Sequence, residues 1–213
     1  MNDKYTFNVK TERPEEKYKK VTEYFKGKRL EEYALSKNMQ RIQTRITARA
    51  LEILNLRDTN SLILDAGCGP GFASFYLKYL GYTVVAFDLI SQFLTYYNLN
   101  DINPLTADMI HPPFKPRTFD AIISISALQW IYRDVSNNKR EQNFAILMKS
   151  FFEILKFGSK IVFQFYPKSD LVLDKIGEII SRETDFQGGF IIDNPESPKK
   201  RRIFLELIKE AKI

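Results

Sequence analysis

Cysteine and histidine are almost absent: the 213 residues hold Cys68 and His111 and no other of either kind. One cysteine excludes an internal disulfide and fits a reducing, cytoplasmic compartment. Zinc sites of the usual kind need three or four Cys or His ligands, so no metal site is expected. His111 sits beside Pro112 and Pro113, and one loop histidine makes a Ser-His-Asp or Cys-His triad a poor reading. Cys68, between two glycines, reads as a small side chain that fits under a ligand rather than as a nucleophile. Long apolar runs are missing too. None approaches the roughly 18 residues of a membrane span, and the start MNDKYTFNVK has no apolar centre for a secretory signal. What is present is a chain of ordinary single-domain length. Its 32 Lys and Arg exceed its 26 Asp and Glu, for a net charge of +6, a weak hint of a polyanionic partner.

Residues 1–28 are polar, with nine basic and five acidic side chains in the first 30 positions. They read as a surface arm ahead of a domain at 29–213. Ile42, Ile46, Ala50 and Ile53 then recur at helical spacing, with Arg41, Arg45 and Arg49 on another face. From Ser61 the chain alternates. Strands are expected at 61–65, 82–88, 103–107, 118–125, 158–165, 189–192 and 202–208. Helices are expected at 72–80, from Ser91 to about Leu99, around Phe144–Leu155, and after Ser169. Repeated strand–helix–strand units require a parallel sheet covered by helices on both faces. The last two strands are joined too closely for a crossover helix and must be antiparallel. The fold class is therefore α/β, a Rossmann-like, doubly wound, mostly parallel sheet with an antiparallel C-terminal strand pair.

The chemistry concentrates in Asp65-Ala-Gly67-Cys68-Gly69-Pro-Gly71, at the expected carboxyl end of the first strand. A dinucleotide loop has glycine at its sixth place, where this chain has Phe72. An acid just before the loop suits a cationic ligand better than a pyrophosphate. S-adenosylmethionine (AdoMet), with its sulfonium and ammonium, is such a ligand. Asp88 ends the second strand, where a carboxylate accepts both hydroxyls of a ribose. Asp108 follows the third strand, where an acceptor can meet an adenine amino group. Singly, each acid is equally a turn former, a helix cap or a loop acid; their shared position at one rim is the specific signal.

With the loop, Asp88 and Asp108 in place, the chain resembles the Rossmann-like AdoMet-dependent methyltransferases. The peptides PFKPRTFDAIISISALQW (113–130), IQTR (42–45), QFYP (164–167) and FQGGFIID (186–193) are similar to a narrower group. That group is the small-subunit ribosomal RNA guanine-7 methyltransferases of ribosome biogenesis, the Williams-Beuren-region type. The similarity runs from about Tyr24 to Ile208. It implies methylation of a small-subunit rRNA guanine, AdoMet as cofactor, and a small zinc-ribbon activator as heterodimer partner. The long basic tail of eukaryotic members is not matched, which would fit an archaeal source. The second-strand junction, Asp88-Leu-Ile-Ser91, departs from the group's order.

The cofactor-binding set expected from loop, rim and resemblance is Arg45, Asp65, Gly67, Cys68, Gly69, Gly71, Asp88, Leu89, Asp108, Met109 and Ser124. Arg45 would pair with the cofactor carboxylate, or else belong to a solvated basic face; Gln43 and Tyr33 lie near it. On the substrate side, Ser126 and Gln129 can hydrogen-bond a base edge, and Trp130 can stack on it or fill the core. No general base is expected. Pro198-Lys-Lys-Arg-Arg202, Lys115 and Arg117 are candidates for phosphate contact. The third strand is expected at the sheet edge, with Tyr96, Tyr97, Leu99, Ile102 and Leu105 giving it apolar surroundings that a partner can cover. The rival readings are a small-molecule AdoMet-dependent methyltransferase and a ribosome-assembly factor whose catalysis is dispensable.

Overall fold

The structure is a computed structural model that describes residues 9–10, 12–133 and 135–211. Among these, seven strands form one sheet in the order β3-β2-β1-β4-β5-β7-β6. The strands are β1 Leu62–Ala66, β2 Thr83–Asp88, β3 Leu105–Thr106, β4 Phe119–Ile125, β5 Leu155–Phe165, β6 Gln187–Asp193 and β7 Arg202–Lys209. The first five are parallel, and β7 runs antiparallel to both β5 and β6. β1 reads Leu-Ile-Leu-Asp-Ala and is buried on both faces, as a central parallel strand must be.

The helices are α1 Pro14–Lys17, α2 Val21–Tyr24, α3 Lys28–Ala34, α4 Lys37–Leu54, α5 Phe72–Tyr79, α6 Ser91–Leu94, α7 Asn138–Ile154 and α8 Asp170–Glu183. On one face, Ile46, Ala50 and Ile53 of α4 and Leu77 of α5 pack on Ile63, Ala121 and Ile123. On the other, Phe144, Leu147 and Phe151 of α7 and Ile176 and Ile179 of α8 pack on Leu64, Ile122 and Phe163. Ser36 caps α4 by accepting from the Met39 N–H at 3.2 Å; Asn55 ends it in the left-handed region at φ 48°. Strand order reverses between β1 and β4, and the ligand crevice of an open α/β sheet opens at such a point.

Two expectations need correction. The helix after β2 stops at Leu94, and Ser91 does not cap it: Asp88 Oδ1 takes the Ile90 N–H at 2.8 Å instead. The arm is not a free surface segment where it is described; positions 1–8 and 11 lie outside the described residues. The Val9 N–H donates to Lys168 O at 3.0 Å, and Arg13 donates to Tyr166 O and Pro167 O. Phe25 packs on Phe93 and Tyr33. The arm is polar by composition, yet it docks through a few aromatic and guanidinium contacts.

The β6–β7 pair offers a stability test. Gly188 has φ +145°, and a Cβ there would run into the backbone carbonyl of Glu206 on β7. Backbone cannot yield as a side-chain tip can. Gly188→Ala is expected to cost about 2–4 kcal/mol, from overpacking plus a strained φ. Urea unfolding checks this: the midpoint should fall with an unchanged slope.

Candidate functional site

The crevice holds two adjoining lobes that share Val21, Gly67, Asp88, Ala127 and Trp130. The first is lined by Tyr33, Gln43, Asp65, Cys68, Gly69 and Ser126 among others. The second is lined by Phe87, Leu89, Ala107, Asp108, Met109 and Ile131 as well. Asp88 stands where they meet. Its Oδ2 accepts the Gly69 N–H at 2.8 Å and its Oδ1 accepts the Ile90 N–H. Burial pushes its carboxyl up, and those N–H groups oppose the shift. One carboxylate thus fixes both the glycine loop and the turn after β2, with lone pairs left for a ligand.

Gly67 and Gly69 take positive φ, 76° and 54°. A Cβ on Gly67 would meet Ala127 and Met109 at 2.7 and 2.8 Å, so this glycine lets the loop lie against both walls. A Cβ on Gly69 would meet nothing within 4 Å. Gly71 does not line either lobe. It starts α5 in the left-handed region, against Phe75 and Tyr97.

Asp65 is 1% exposed. It accepts from Ser74 Oγ at 2.6 Å, and Ser74 Oγ lies 2.9 Å from the Tyr97 hydroxyl. Burial, with Asp88 adding repulsion, pushes its carboxyl up to about 7. The folded state therefore holds this proton between the ordinary value of 3.8 and about 7. The stabilisation is complete below about pH 4 and is lost as pH rises through about 7. A cation bound against Asp65 reverses the preference. A cationic ligand should thus bind with proton release and gain affinity as pH rises from about 5 to about 8. Calorimetry in buffers of different ionisation heat reads the proton, and Asp65→Asn should abolish the dependence.

On the opposite wall, Ser126 has φ +59°, an uncommon conformation for a residue other than glycine. Its hydroxyl donates to Gln164 Oε1 at 2.8 Å and accepts from Gln43 Nε2 at 3.3 Å. This chain of contacts joins α4, β4 and β5 at the first lobe. Tyr33 lines the same lobe, and burial holds its phenol well above the ordinary range.

Several expected residues stand elsewhere. Arg45 lines a separate depression with Ile42, Arg49, Asp193 and Arg202, away from the glycine loop. Gln43 and Arg45 differ by about 200° around the helix, so the residue that faces the lobe is Gln43. Ser124 is fully buried behind Met109, its Oγ 3.9 Å from the sulfur. Gln129 lines neither lobe. Its Nε2 donates to Ser126 O at 2.7 Å, and its Oε1 is buried with no partner among the described residues. Trp130 borders both lobes, but Tyr24 and Phe25 lie against it, with centroids at 5.6 and 6.1 Å. The N-terminal segment packs on its ring, which stays half-buried at the border of the lobes. Cys68 is buried, and burial raises its thiol well above the ordinary value.

Two lining residues, Val21 and Phe25, were hidden in the charged arm; their signal is a Val-Thr-Glu-Tyr-Phe stretch within it. At the sheet edge, Leu99 and Leu105 are 61% and 42% exposed, whereas Tyr97 and Ile102 are buried. The apolar edge is narrower than the sequence suggested.

Comparison with known proteins gives this geometry a context. Residues 64–163 match the family described as "Methyltransferase domain". The chain is 33% identical over 82% of its length to an 18S rRNA (guanine-N(7))-methyltransferase of Schizosaccharomyces pombe, and covers 66% of that protein. The 18S rRNA (guanine(1575)-N(7))-methyltransferase of Saccharomyces cerevisiae is 36% identical over 82% of the chain, with 64% of its own length covered. For the corresponding protein of Bos taurus the values are 32%, 85% and 66%.

The chain carries a methyltransferase domain at residues 64–163.

It spans just under two thirds of the length of these curated relatives. They are eukaryotic, so the expectation of an archaeal source gains nothing from them. Solved structures agree in fold. One is a putative S-adenosyl-L-methionine-dependent methyltransferase of Methanococcus maripaludis, at TM-score 0.65 and 14% identity, covering 87% of this chain and 94% of that one. Another is the geranyl diphosphate C-methyltransferase of Streptomyces coelicolor, at 0.61 and 12%, covering 80% and 82%.

The crevice of this methyltransferase fits AdoMet. The apolar slot of Leu89, Ala107 and Met109, edged by Asp108, suits a flat adenine. Asp88 at the junction suits the ribose diol. Asp65 and the open side of Gly69 lie where a positive methionine end belongs. Among the described residues lining the first lobe there is no Lys or Arg. Tyr33 and backbone N–H groups are neutral donors there that suit the cofactor carboxylate.

Proposed function

We propose that this methyltransferase modifies the 7-nitrogen of a guanine in small-subunit rRNA. The observation that carries the reading is the likeness, at 32–36% identity over 82–85% of the chain, to three proteins named for that activity. The chemistry of the first lobe agrees with it. When bound, AdoMet supplies an electrophilic methyl group, which the guanine 7-nitrogen accepts through a lone pair that carries no proton. The protein's task is then alignment and exclusion of water. Tyr33 and Cys68 are held neutral by burial, and Asp65 and Asp88 lie on the cofactor side. Gln43 and Ser126, held by the buried Gln164 behind them, form a fixed polar wall that can hold a base edge. Gln129 acts as a positioning residue, tying down the Ser126 carbonyl.

A zinc-ribbon partner at the β3 edge belongs to the same reading. It is supported by the exposed Leu99 and Leu105, the latter on the two-residue strand at the edge of the sheet. Action in the cytoplasm is part of the proposal; no described helix is long and apolar enough to cross a membrane.

The test gives the chain labelled AdoMet and either small ribosomal subunits or a metabolite extract, with and without a zinc-ribbon protein from the same cell. Label recovered as 7-methylguanine in the rRNA, more of it with the partner, is expected. Label found only in metabolites would overturn the rRNA reading. Equal activity without the partner would overturn the heterodimer.

A further inference from the structure

A second concavity lies outside the cofactor crevice and is larger, about 560 Å³. It is a trough between the N-terminal segment, the residues after β5 and the turn before β7. Its lining includes Lys10, Arg13, Lys199, Arg201 and Arg202, with Tyr166 among them, and no acidic residue among those described. These cations come from chain ends almost 200 residues apart and are brought together by the fold. Arg13 is anchored to Tyr166 O and Pro167 O, with its guanidinium 5.8 Å from the Tyr166 ring centre. Arg201 is anchored to Pro195 O at 2.7 and 3.0 Å. Anchored guanidinium groups lose little further entropy on meeting an anion. Lys10 and Lys199 are exposed. Arg202 also lines the neighbouring depression that holds Arg45 and Arg49, so the positive band continues past the trough.

Its position matters as much as its charge. Ile203 on β7 pairs with Phe165 at the carboxyl end of β5, so the trough opens at the same rim as the cofactor crevice. Gln164 touches Ser126 in the first lobe, and the next residues, Phe165 to Pro167, line the trough. That separation is about 7–10 Å along extended chain, within reach of a neighbouring nucleotide.

We propose that this trough binds the phosphate backbone of single-stranded RNA flanking the methylated base. The proposal rests on the rRNA reading above and adds where the substrate's backbone runs. Anchored arginines and a tyrosine beside exposed lysines suit phosphates next to a stackable base. An acidic protein surface is the alternative occupant that the test separates.

The probe is a short single-stranded rRNA fragment containing the modified guanine, used with the full chain and any required partner. Lys10→Ala combined with Lys199→Ala removes two exposed cations that form no ion pair or side-chain hydrogen bond among the described residues. AdoMet affinity should be unchanged, KM for RNA should rise about tenfold, and kcat should hold. The slope of log affinity against log salt should flatten by about 1.4, at about 0.7 per lost phosphate contact on a single strand. Unchanged KM and slope in an otherwise active enzyme would overturn the trough while leaving the rRNA reading intact. Loss of binding to an acyl carrier protein, with RNA binding unaffected, would overturn it in favour of an acidic protein. Absence of RNA methylation by the unmodified enzyme would instead sink the rRNA reading, and the trough with it.

Discussion

AdoMet affinity should fall at least a hundredfold when Asp88 is replaced by alanine. Two effects act together. A ribose assigned to Asp88 would lose two charge-assisted hydrogen bonds, each worth about 1.5–3 kcal/mol. The Gly69 and Ile90 N–H groups also lose their acceptor, so the glycine loop and the turn after β2 are no longer held in one geometry. A hundredfold corresponds to about 2.7 kcal/mol, below the sum of the two bonds. Because unpaired buried N–H groups cost about 1–3 kcal/mol each, the apo-protein should also unfold earlier. Calorimetric titration and thermal unfolding of the same samples separate the effects. Asp108→Asn is the companion variant. Its carboxylate is exposed and, among the described residues, accepts only the Ile110 N–H at 2.9 Å, so affinity should drop with little change in stability. An Asp88→Ala protein that binds AdoMet normally would remove the ribose assignment.

Gly67→Ala should do comparable damage by a different route. The added methyl group has nowhere to go, with Ala127 and Met109 both nearer than 3 Å. One wall leads into the turn that carries Trp130, and the other is the floor of the adenine slot, so both lobes deform at once. At φ 76° the strain adds about 1–3 kcal/mol, and overpacking a similar amount. Gly69→Ala is the informative contrast. Its backbone is strained alike, but the space around it is open. It should fold with a loss of about 1–2 kcal/mol and fail mainly in binding, because its methyl group enters ligand space. Equal stability of the two variants would contradict the packing described for Gly67.

The sequence made the glycine loop, the three rim acids and the alternation of strands and helices readable, because each is a local pattern. Asp65, Asp88 and Asp108 need only lie at successive strand ends to converge. What it concealed depended on rotation or on distant contact. Hydrophobic spacing in α4 located a buried stripe, but Gln43 and Thr47 are buried beside it. The buried face is wider than the apolar one, and Arg45 was assigned to the wrong side. In the arm, Tyr24 and Phe25 stand in a charged stretch whose average says solvent. Their partners Phe93 and Trp130 lie about 70 to 100 residues away, beyond any local window. Trp130 itself reads from sequence as a stacking platform or as packing; it packs on Tyr24 and Phe25 and also borders both lobes. Half of the trough was readable, since Pro198-Lys-Lys-Arg-Arg202 stands out as a basic run; Lys10 and Arg13, lost in the mixed charge of the arm, join it only through the fold.

The N-terminal segment touches both places where ligands are assigned: Arg13 borders the trough, and twelve residues later Phe25 borders the crevice. Reciprocity follows from thermodynamics alone. If an occupant of either place binds more tightly when this stretch of chain is fixed, it shares that free energy with an occupant of the other, and by the same factor in both directions. If one occupant must instead dislodge the stretch, it weakens the other equally. Cofactor affinity measured with and without RNA therefore reports on the segment even though the two ligands need never touch.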